Sequence, residues 1–180
     1  MNTQSISVKI ANSSQFERIA SLVNDAYRGL SGVRGWTHEA DLLVGPRVNV
    51  AAFAQIARRL TILVAIFEGA VVGCVSVEAI DAKEWYLSML AVDPTRQAHG
   101  VGKLLMAEAE AYLLARDVET IRISVVNHRS ALIEWYERRG YARTDEVEPF
   151  PYDDSSVGTP LRDDLALIVL KKSLRTEQLR

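Results

Sequence analysis

Residues 87–103 of the chain read LSMLAVDPTRQAHGVGK, an apolar run that gives way to a glycine-containing turn. The run is predicted to be a strand that ends at Asp93-Pro94, because proline cannot donate a hydrogen bond within a sheet. From Gly100 to Arg116, apolar residues then recur at the spacing of one helix face. The sequence therefore predicts a strand that leads through a glycine turn directly into a helix.

The start of this helix has the properties of an anion-binding site. The N–H groups of a first helical turn have no partner within the helix, and the helix dipole places partial positive charge there. Glycine allows the backbone to curve closely around a bound phosphate. Lys103 lies in the same turn, where a cation is unfavourable unless an anion is close by. We therefore expect this turn to bind a pyrophosphate group.

The spacing of the glycines separates the candidate ligands. A P-loop requires Ser or Thr after Gly-Lys, but Leu104 follows here. A dinucleotide fingerprint requires a third glycine at the position of Leu105. The pattern that remains is Gln-x-x-Gly-x-Gly, from Gln97 to Gly102. It resembles the acetyl-CoA signature of the GNAT family of N-acetyltransferases, which is Gln/Arg-x-x-Gly-x-Gly/Ala.

Neighbouring residues strengthen this resemblance. The stretch 90–94 is similar to the family's fourth strand and its exit, and 104–106 is similar to its third helix. The family's Asn…Ala…Tyr…Gly-Phe/Tyr segment is matched in order by Asn127, Ala131, Tyr136, Gly140 and Tyr141. The close match covers residues 85–141, and the rest of the chain agrees in the order of its elements. We therefore expect a single N-acetyltransferase domain over residues 1–180.

The hydrophobic patterning predicts an α/β (α+β) fold. It has a central mixed sheet of about seven strands flanked by about five helices. A capping box at Ser14 and Glu17 is expected to start the first helix. Two shorter helices are predicted near 38–44 and 50–59, and the next strands are linked by hairpins. The resemblance implies that the family's fourth and fifth strands splay apart around the acyl-CoA.

Acetyl-CoA is the co-substrate that the resemblance implies. Strand backbone would pair with its pantetheine arm, the N–H groups of the glycine turn would hold its pyrophosphate, and Asn127 would hydrogen-bond the arm. Asn127 could alternatively cap the following helix, where asparagine is favoured. The residues predicted to bind the cofactor are Leu90, Ala91, Val92, Gln97, Ala98, His99, Gly100, Val101, Gly102, Lys103, Asn127 and Ala131.

The expected reaction is a direct attack of an amine on the thioester. No serine or cysteine with a base partner is evident, so no acyl-enzyme is expected. By resemblance, Tyr136 is the general acid that protonates the departing thiolate, although it could instead be a tyrosine of the core. Backbone N–H groups near Leu90 or Val92 would stabilise the oxyanion.

The general base is less well defined by the sequence. Family members often carry Glu or His on the fourth strand, where this chain has Tyr86 and Ser88. Neither is a good base near neutral pH. Glu84 on this strand and Glu78 on the preceding one are the candidate carboxylates. A water chain to bulk solvent, or an amine that binds already neutral, are the alternatives.

The acceptor is expected to be a small-molecule or peptide amine. In this family, the early helices and the last loop hold the acceptor. Acidic and aromatic residues in these regions suit a cationic amine, or they form an ordinary solvated acidic loop. They are Trp36, Glu39, Asp41, Glu146, Glu148, Phe150, Tyr152, Asp153 and Asp154.

Composition limits the alternatives. The net charge of -2 over 180 residues argues against nucleic acid as an obligate partner. The sequence has no apolar run of the ~20 residues needed to span a bilayer, and it has no apolar segment near Met1 that would indicate a secretory signal. We therefore expect a cytoplasmic protein without a membrane partner. Cys74 is predicted to be buried, and no side-chain spacing predicts a metal.

Two other functions and one assembly state stay open. A catalytically silent acyl-CoA sensor is the main alternative to an enzyme. A binding module for another anion on an unrelated α/β fold is the second. The resemblance also implies that the chain can pair as a homodimer.

Overall fold

A computed structural model describes residues 6–29 and 37–175 of the protein, and Trp36 lies outside this part. Its main feature is a mixed sheet of seven strands in the order β1-β3-β4-β5-β6-β9-β7. The predicted α/β fold is confirmed. The strands are β1 Ser7–Ile10, β3 Thr61–Phe67, β4 Ala70–Ala79, β5 Glu84–Val92, β6 Thr120–Val126, β7 Ala142–Pro149 and β9 Ala166–Ser173. Two short strands, β2 Leu43–Val44 and β8 Thr159–Pro160, pair with each other.

Helices cover both faces of this sheet. The described residues contain four α-helices, which are α1 Phe16–Arg28, α2 Val50–Ala57, α3 Val101–Leu114 and α4 Ser130–Glu137. Apolar residues of α1 and α2 pack with one face of the sheet, where Cys74 is fully buried as predicted. Those of α3 and α4 pack on the opposite face. The central strands β3, β4 and β5 are therefore largely buried, whereas the edge strands β1 and β7 have no buried residue.

Two local predictions near the N-terminal half are wrong. The capping box forms between Asn12 and Gln15, which reciprocally bond each other's backbone and side chain before a short 3-10 turn leads into α1. Asparagine caps as well as serine does. The predicted helix at 38–44 is instead a turn closed on the Glu39 carbonyl, followed by β2. A helix this short is marginal by itself, and here the apolar Leu43 is buried through its pairing with Pro160.

The sheet opens between β5 and β6, the only parallel pair in the described sheet. Their pairing is limited to three residue pairs, Glu84↔Thr120, Trp85↔Ile121 and Tyr86↔Arg122. Beyond this point β6 continues to pair with β9 as far as Val126. The predicted splay between these two strands is therefore confirmed.

A β-bulge in β5 accompanies this opening. Ser76 of β4 pairs with Ser88, but Cys74 pairs with Ala91, so two residues of β5 lie opposite one of β4. Met89 in the bulge has a φ of 50°, which is rare for a residue with a side chain. Bulges turn a strand and increase its twist. The bulge therefore lies where β5 leaves its parallel neighbour.

Candidate active site

A cavity of about 250 Å³ lies between strands β5 and β6 where they separate. Residues Tyr86–Leu90 of β5 form one wall and Ile123–Val126 of β6 form the other. The remaining lining comes from α1, α4, β9 and two connecting segments, so the cavity reaches both helical layers. These lining residues are Tyr27, Glu39, Leu43, Arg47, Arg129, Leu132, Tyr136, Phe150, Pro151, Val157 and Leu167.

Tyr27 connects α1 to the bulged part of β5 through a hydrogen bond. Its hydroxyl donates a hydrogen bond of 3.1 Å to the carbonyl oxygen of Leu90. Burial raises the pKa of Tyr27, so the hydroxyl stays protonated and remains a donor. The sequence patterns did not identify Tyr27 as a site residue. The available signal was its hydroxyl, because a buried tyrosine normally finds a hydrogen-bond partner.

Tyr136, the predicted general acid, lines the same cavity from α4. Its side chain is 6% exposed and packs edge-on against Trp135 and Tyr141. Burial raises the pKa of Tyr136, and the nearby Tyr27 and Tyr86 raise it further. The phenol is therefore protonated across the physiological pH range. This arrangement is suited to donating a proton within the cavity.

The glycine turn follows β5 as the sequence predicts. Residues Pro94–His99 form a 3-10 helix that includes the backbone of Gln97 and Ala98. Gly100 then takes a left-handed conformation with a φ of 74° and is the N-cap of α3, without a side-chain cap hydrogen bond. A Cβ at Gly100 would have no atom within 4 Å. The start of α3 is thus open to an anion, and this geometry fits a pyrophosphate.

A second glycine brings α3 close to the sheet. A Cβ at Gly73 of β4 would lie 2.9 Å from Leu105 Cδ1, 3.0 Å from Val101 Cγ1 and 3.1 Å from the Ala91 carbonyl. Only a residue without a side chain lets the helix approach so closely. Gly102 is buried in the first turn and Lys103 is exposed. Gly73 therefore helps to fix the position of the helix start relative to β5.

Asn127 already has backbone partners. Its amide nitrogen donates to the Asp164 carbonyl, and its amide oxygen accepts from the backbone N–H groups of His128 and Ala166. The N-cap of α4 is Arg129, so Asn127 does not cap this helix. A hydrogen bond to pantetheine would have to use the second hydrogen of its amide group. Ala131 is exposed in the first turn of α4.

The two predicted base candidates lie outside the cavity that contains Tyr136. Glu78 and Glu84 line a neighbouring, more open groove of about 530 Å³, and Tyr86 borders both spaces. Glu84 forms ion pairs with Lys171 at 3.0 Å and Arg122 at 3.9 Å. Glu78 is exposed and forms no ion pair within the described part of the chain. The structure therefore brings the two carboxylates together, but not with Tyr136.

A buried ion pair organises the opposite rim of the cavity. Arg28 and Glu39 are 5% and 7% exposed, and their side chains are bonded to each other. The same guanidinium donates to the Gly45 carbonyl over 2.8 Å and to the Val157 carbonyl over 2.9 Å. Arg28 thus connects α1 to both segments that contain β2 and β8.

Several of the acidic residues expected to favour a cationic amine have partners within the protein. Glu146 and Glu148 accept hydrogen bonds from Arg122 over 2.7 Å and 2.6 Å. Asp154 caps its own turn by accepting from the Ser156 N–H. Much of the negative charge in these regions is therefore already balanced.

A family model described as the acetyltransferase (GNAT) family matches residues 17–141 of the chain, which is more than half of its length. No curated protein matches the chain. The family match gives no support to a silent sensor.

Within the described residues, no helix is both long and apolar enough to cross a membrane, and no three metal-ligating side chains cluster together.

Solved structures share the fold at low sequence identity. The Salmonella typhimurium protein yncA, determined with its cofactor acetyl-CoA, is 16% identical with a TM-score of 0.69, and the match covers 96% of each chain. Ard1 from Thermoplasma volcanium is 16% identical with a TM-score of 0.70, over 95% of this chain and 99% of its own. The ribosomal-protein-S18-alanine N-acetyltransferase of Escherichia coli is 17% identical with a TM-score of 0.68, over 98% and 99%.

Proposed function

The chain belongs to the acetyltransferase (GNAT) family, and we propose that it is an acetyl-CoA-dependent N-acetyltransferase acting on a primary amine. The observation that supports this most strongly is the position of Tyr136. Its protonated phenol lines a cavity whose other wall is the bulged strand β5. The same strand leads, through the 3-10 helix Pro94–His99, to the open helix start at Gly100. A thioester ligand that lies along β5 would reach both features.

The chain offers a continuous binding surface for acetyl-CoA. Backbone N–H groups from Ala98 to Lys103 would hold the pyrophosphate at the start of α3. Backbone groups of Leu90, Ala91 and Val92 would pair with the pantetheine arm, as an added strand does. Acetyl-CoA supplies the activated acetyl group. The residues of the chain position it and exclude water between the splayed strands.

The chemistry requires two donors from the chain. Tyr136 would donate its phenolic proton to the sulfur as the amine displaces it. A backbone N–H near Leu90 would stabilise the negative charge that develops on the carbonyl oxygen. The hydrogen bond from Tyr27 to the Leu90 carbonyl holds this part of the strand in place. Preorganised donors of this kind avoid reorganisation during the reaction.

The amine must also lose a proton, and Glu78 and Glu84 are the candidate bases. Both line the groove that borders the cavity at Tyr86. A proton would have to travel from the cavity into this groove through water. The Glu84 carboxylate is already engaged in ion pairs with Lys171 and Arg122, whereas Glu78 forms no ion pair with a described residue. Glu78 is therefore the better candidate of the two.

Acetyl-CoA binding is tested by thermal unfolding with and without the ligand. At ~100 times its Kd, a ligand adds about 2.7 kcal/mol, which corresponds to a rise of about 5–11 °C in the melting temperature of a domain of this size. Gly100→Glu should abolish the rise by placing a carboxylate at the pyrophosphate position. Gly140→Glu is the matched control, since Gly140 also has a positive φ of 85° but lies after α4. An equal rise in both variants would contradict the proposed site.

A further inference from the structure

We infer that the acceptor carries a carboxylate beside its amine, and that the guanidinium of Arg47 binds this carboxylate. This inference rests on the proposed acetyl transfer and names the class of acceptor. It reverses the expectation of a cationic acceptor that the acidic residues suggested.

Arg47 lies between β2 and α2, in the early part of the chain where the family resemblance places the acceptor. It lines the cavity, and its Cζ atom is 5.6 Å from the centre of the Tyr27 ring. Tyr27 in turn donates to the Leu90 carbonyl. An acceptor held by Arg47 would therefore contact Tyr27 and be close to the strand segment proposed to hold the thioester.

The backbone around Arg47 is fixed by a buried asparagine. Asn24 is 4% exposed, and its amide oxygen accepts from the N–H groups of Arg47 and Val48 over 2.7 Å and 3.0 Å. Its amide nitrogen donates to the Val48 carbonyl over 3.0 Å. These bonds hold the segment between β2 and α2 against α1. The Arg47 side chain therefore projects from a preorganised position, which lowers the entropy lost on binding.

The charges within the cavity leave Arg47 without an anion. In the part of the chain that the structure describes, three charged residues line the cavity, namely Glu39, Arg47 and Arg129. Glu39 is bonded to the buried Arg28, which balances its charge. Arg47 forms no ion pair with any described residue. A half-buried guanidinium gains most from a carboxylate, which matches its planar donors.

An acceptor that carries only positive charge would find no unpaired anion among the described residues that line the cavity. Its charge would be repelled by Arg47, and Glu39 is already occupied by Arg28. The carboxylates of Glu146 and Glu148 lie with Arg122 beside the neighbouring groove. An amine with an adjacent carboxylate, as in an α-amino acid, instead places its anion on Arg47 and leaves its amine free for the reaction.

The test compares α-amino acids with their α-amides, which lack the carboxylate but keep the amine. Release of CoA thiol from acetyl-CoA is measured for twenty such pairs. The wild-type enzyme should prefer the acid of its best pair by about 10-fold or more in kcat/KM, as expected for a charged hydrogen bond. Arg47→Ala should remove the preference, and Arg47→Lys should restore part of it because the charge remains while the planar donors are lost.

Two controls separate failure of this inference from failure of the proposed function. Arg59→Ala removes an exposed arginine beyond α2 and should keep the wild-type preference. Acetyl-CoA should raise the melting temperature of Arg47→Ala as much as that of the wild type, which shows that the variant is folded. Turnover of amides, diamines or peptides in preference to the acids would overturn the inference while acetyl transfer stands. An acid preference that survives in Arg47→Ala, or no turnover of any acid, would overturn it as well.

Discussion

Arg28 donates a hydrogen bond of 2.9 Å to the carbonyl oxygen of Val157, although the two residues are 129 positions apart in the chain. The same guanidinium is paired with Glu39 and bonded to Gly45. Gly158 leaves room for this contact, because a Cβ there would lie 3.2 Å from Arg28 Nη2 and 2.8 Å from the Val44 carbonyl. One buried side chain thus joins the two segments that frame the acceptor side of the cavity.

Replacing Arg28 should destabilise the protein strongly. Arg28→Met leaves the buried Glu39 carboxylate without its partner, and breaking a buried ion pair in this way costs about 3–5 kcal/mol. The double variant Arg28→Met, Glu39→Gln should recover part of the loss, since no buried charge remains. Urea unfolding measures the free energies of unfolding of the wild type, the single variant and the double variant. A loss below about 1 kcal/mol for the single variant, the level of an exposed pair, would contradict this role.

Removing the Tyr27 hydroxyl should impair turnover. Tyr27→Phe leaves the Leu90 carbonyl without this donor, with an expected loss of about 1–2 kcal/mol in stability. Because the bond holds the bulge, kcat should fall while the affinity for acetyl-CoA changes little. Tyr112→Phe is a control, since its hydroxyl meets Thr61 at 3.5 Å. Wild-type kcat in Tyr27→Phe would show that this bond does not organise the site.

Gly73→Ala should weaken both the fold and acetyl-CoA binding. The new methyl group would press on Val101 and Leu105 in the first turns of α3, and overpacking of this kind costs about 1–3 kcal/mol. Displacement of the helix start should also reduce the stabilisation by acetyl-CoA. Gly140→Ala is the control variant, because the Cβ at this position would make only an ordinary contact with Lys172 at 3.6 Å. It should lose stability through backbone strain without losing the ligand effect.

The pH dependence of turnover should reflect the raised pKa of Tyr136. A general acid works only while protonated, and burial raises the pKa of this phenol above its ordinary value. The rate should therefore rise with pH as the amine loses its proton, and it should not fall before about pH 10, the ordinary tyrosine pKa. Measuring kcat between neutral pH and about pH 10 shows whether the rate rises or falls with pH. A decline within that interval would exclude Tyr136 as the proton donor.

Local sequence patterns predicted the parts of this structure that depend on neighbours in the chain. The glycine turn before α3 and the hairpin that links β3 and β4 follow from residue types with defined backbone preferences. The helix expected at 38–44 was wrong because a short segment is governed by its distant partner, here Thr159–Pro160. The contacts of Tyr27 with Leu90 and of Arg28 with Val157 bridge 63 and 129 positions. No local pattern encodes such contacts, which only the folded sheet brings about.

Acetyl transfer from acetyl-CoA to an amine is tested by measuring the amine-dependent release of CoA thiol together with mass analysis of the acceptor. We predict that at least one primary amine gains an acetyl group at nitrogen in step with thiol release. Tyr136→Phe should slow this reaction by about 10²–10⁴-fold, the usual contribution of general acid catalysis, while acetyl-CoA still stabilises the variant. Thiol release without an acetylated amine, or an unchanged rate in Tyr136→Phe, would contradict the account.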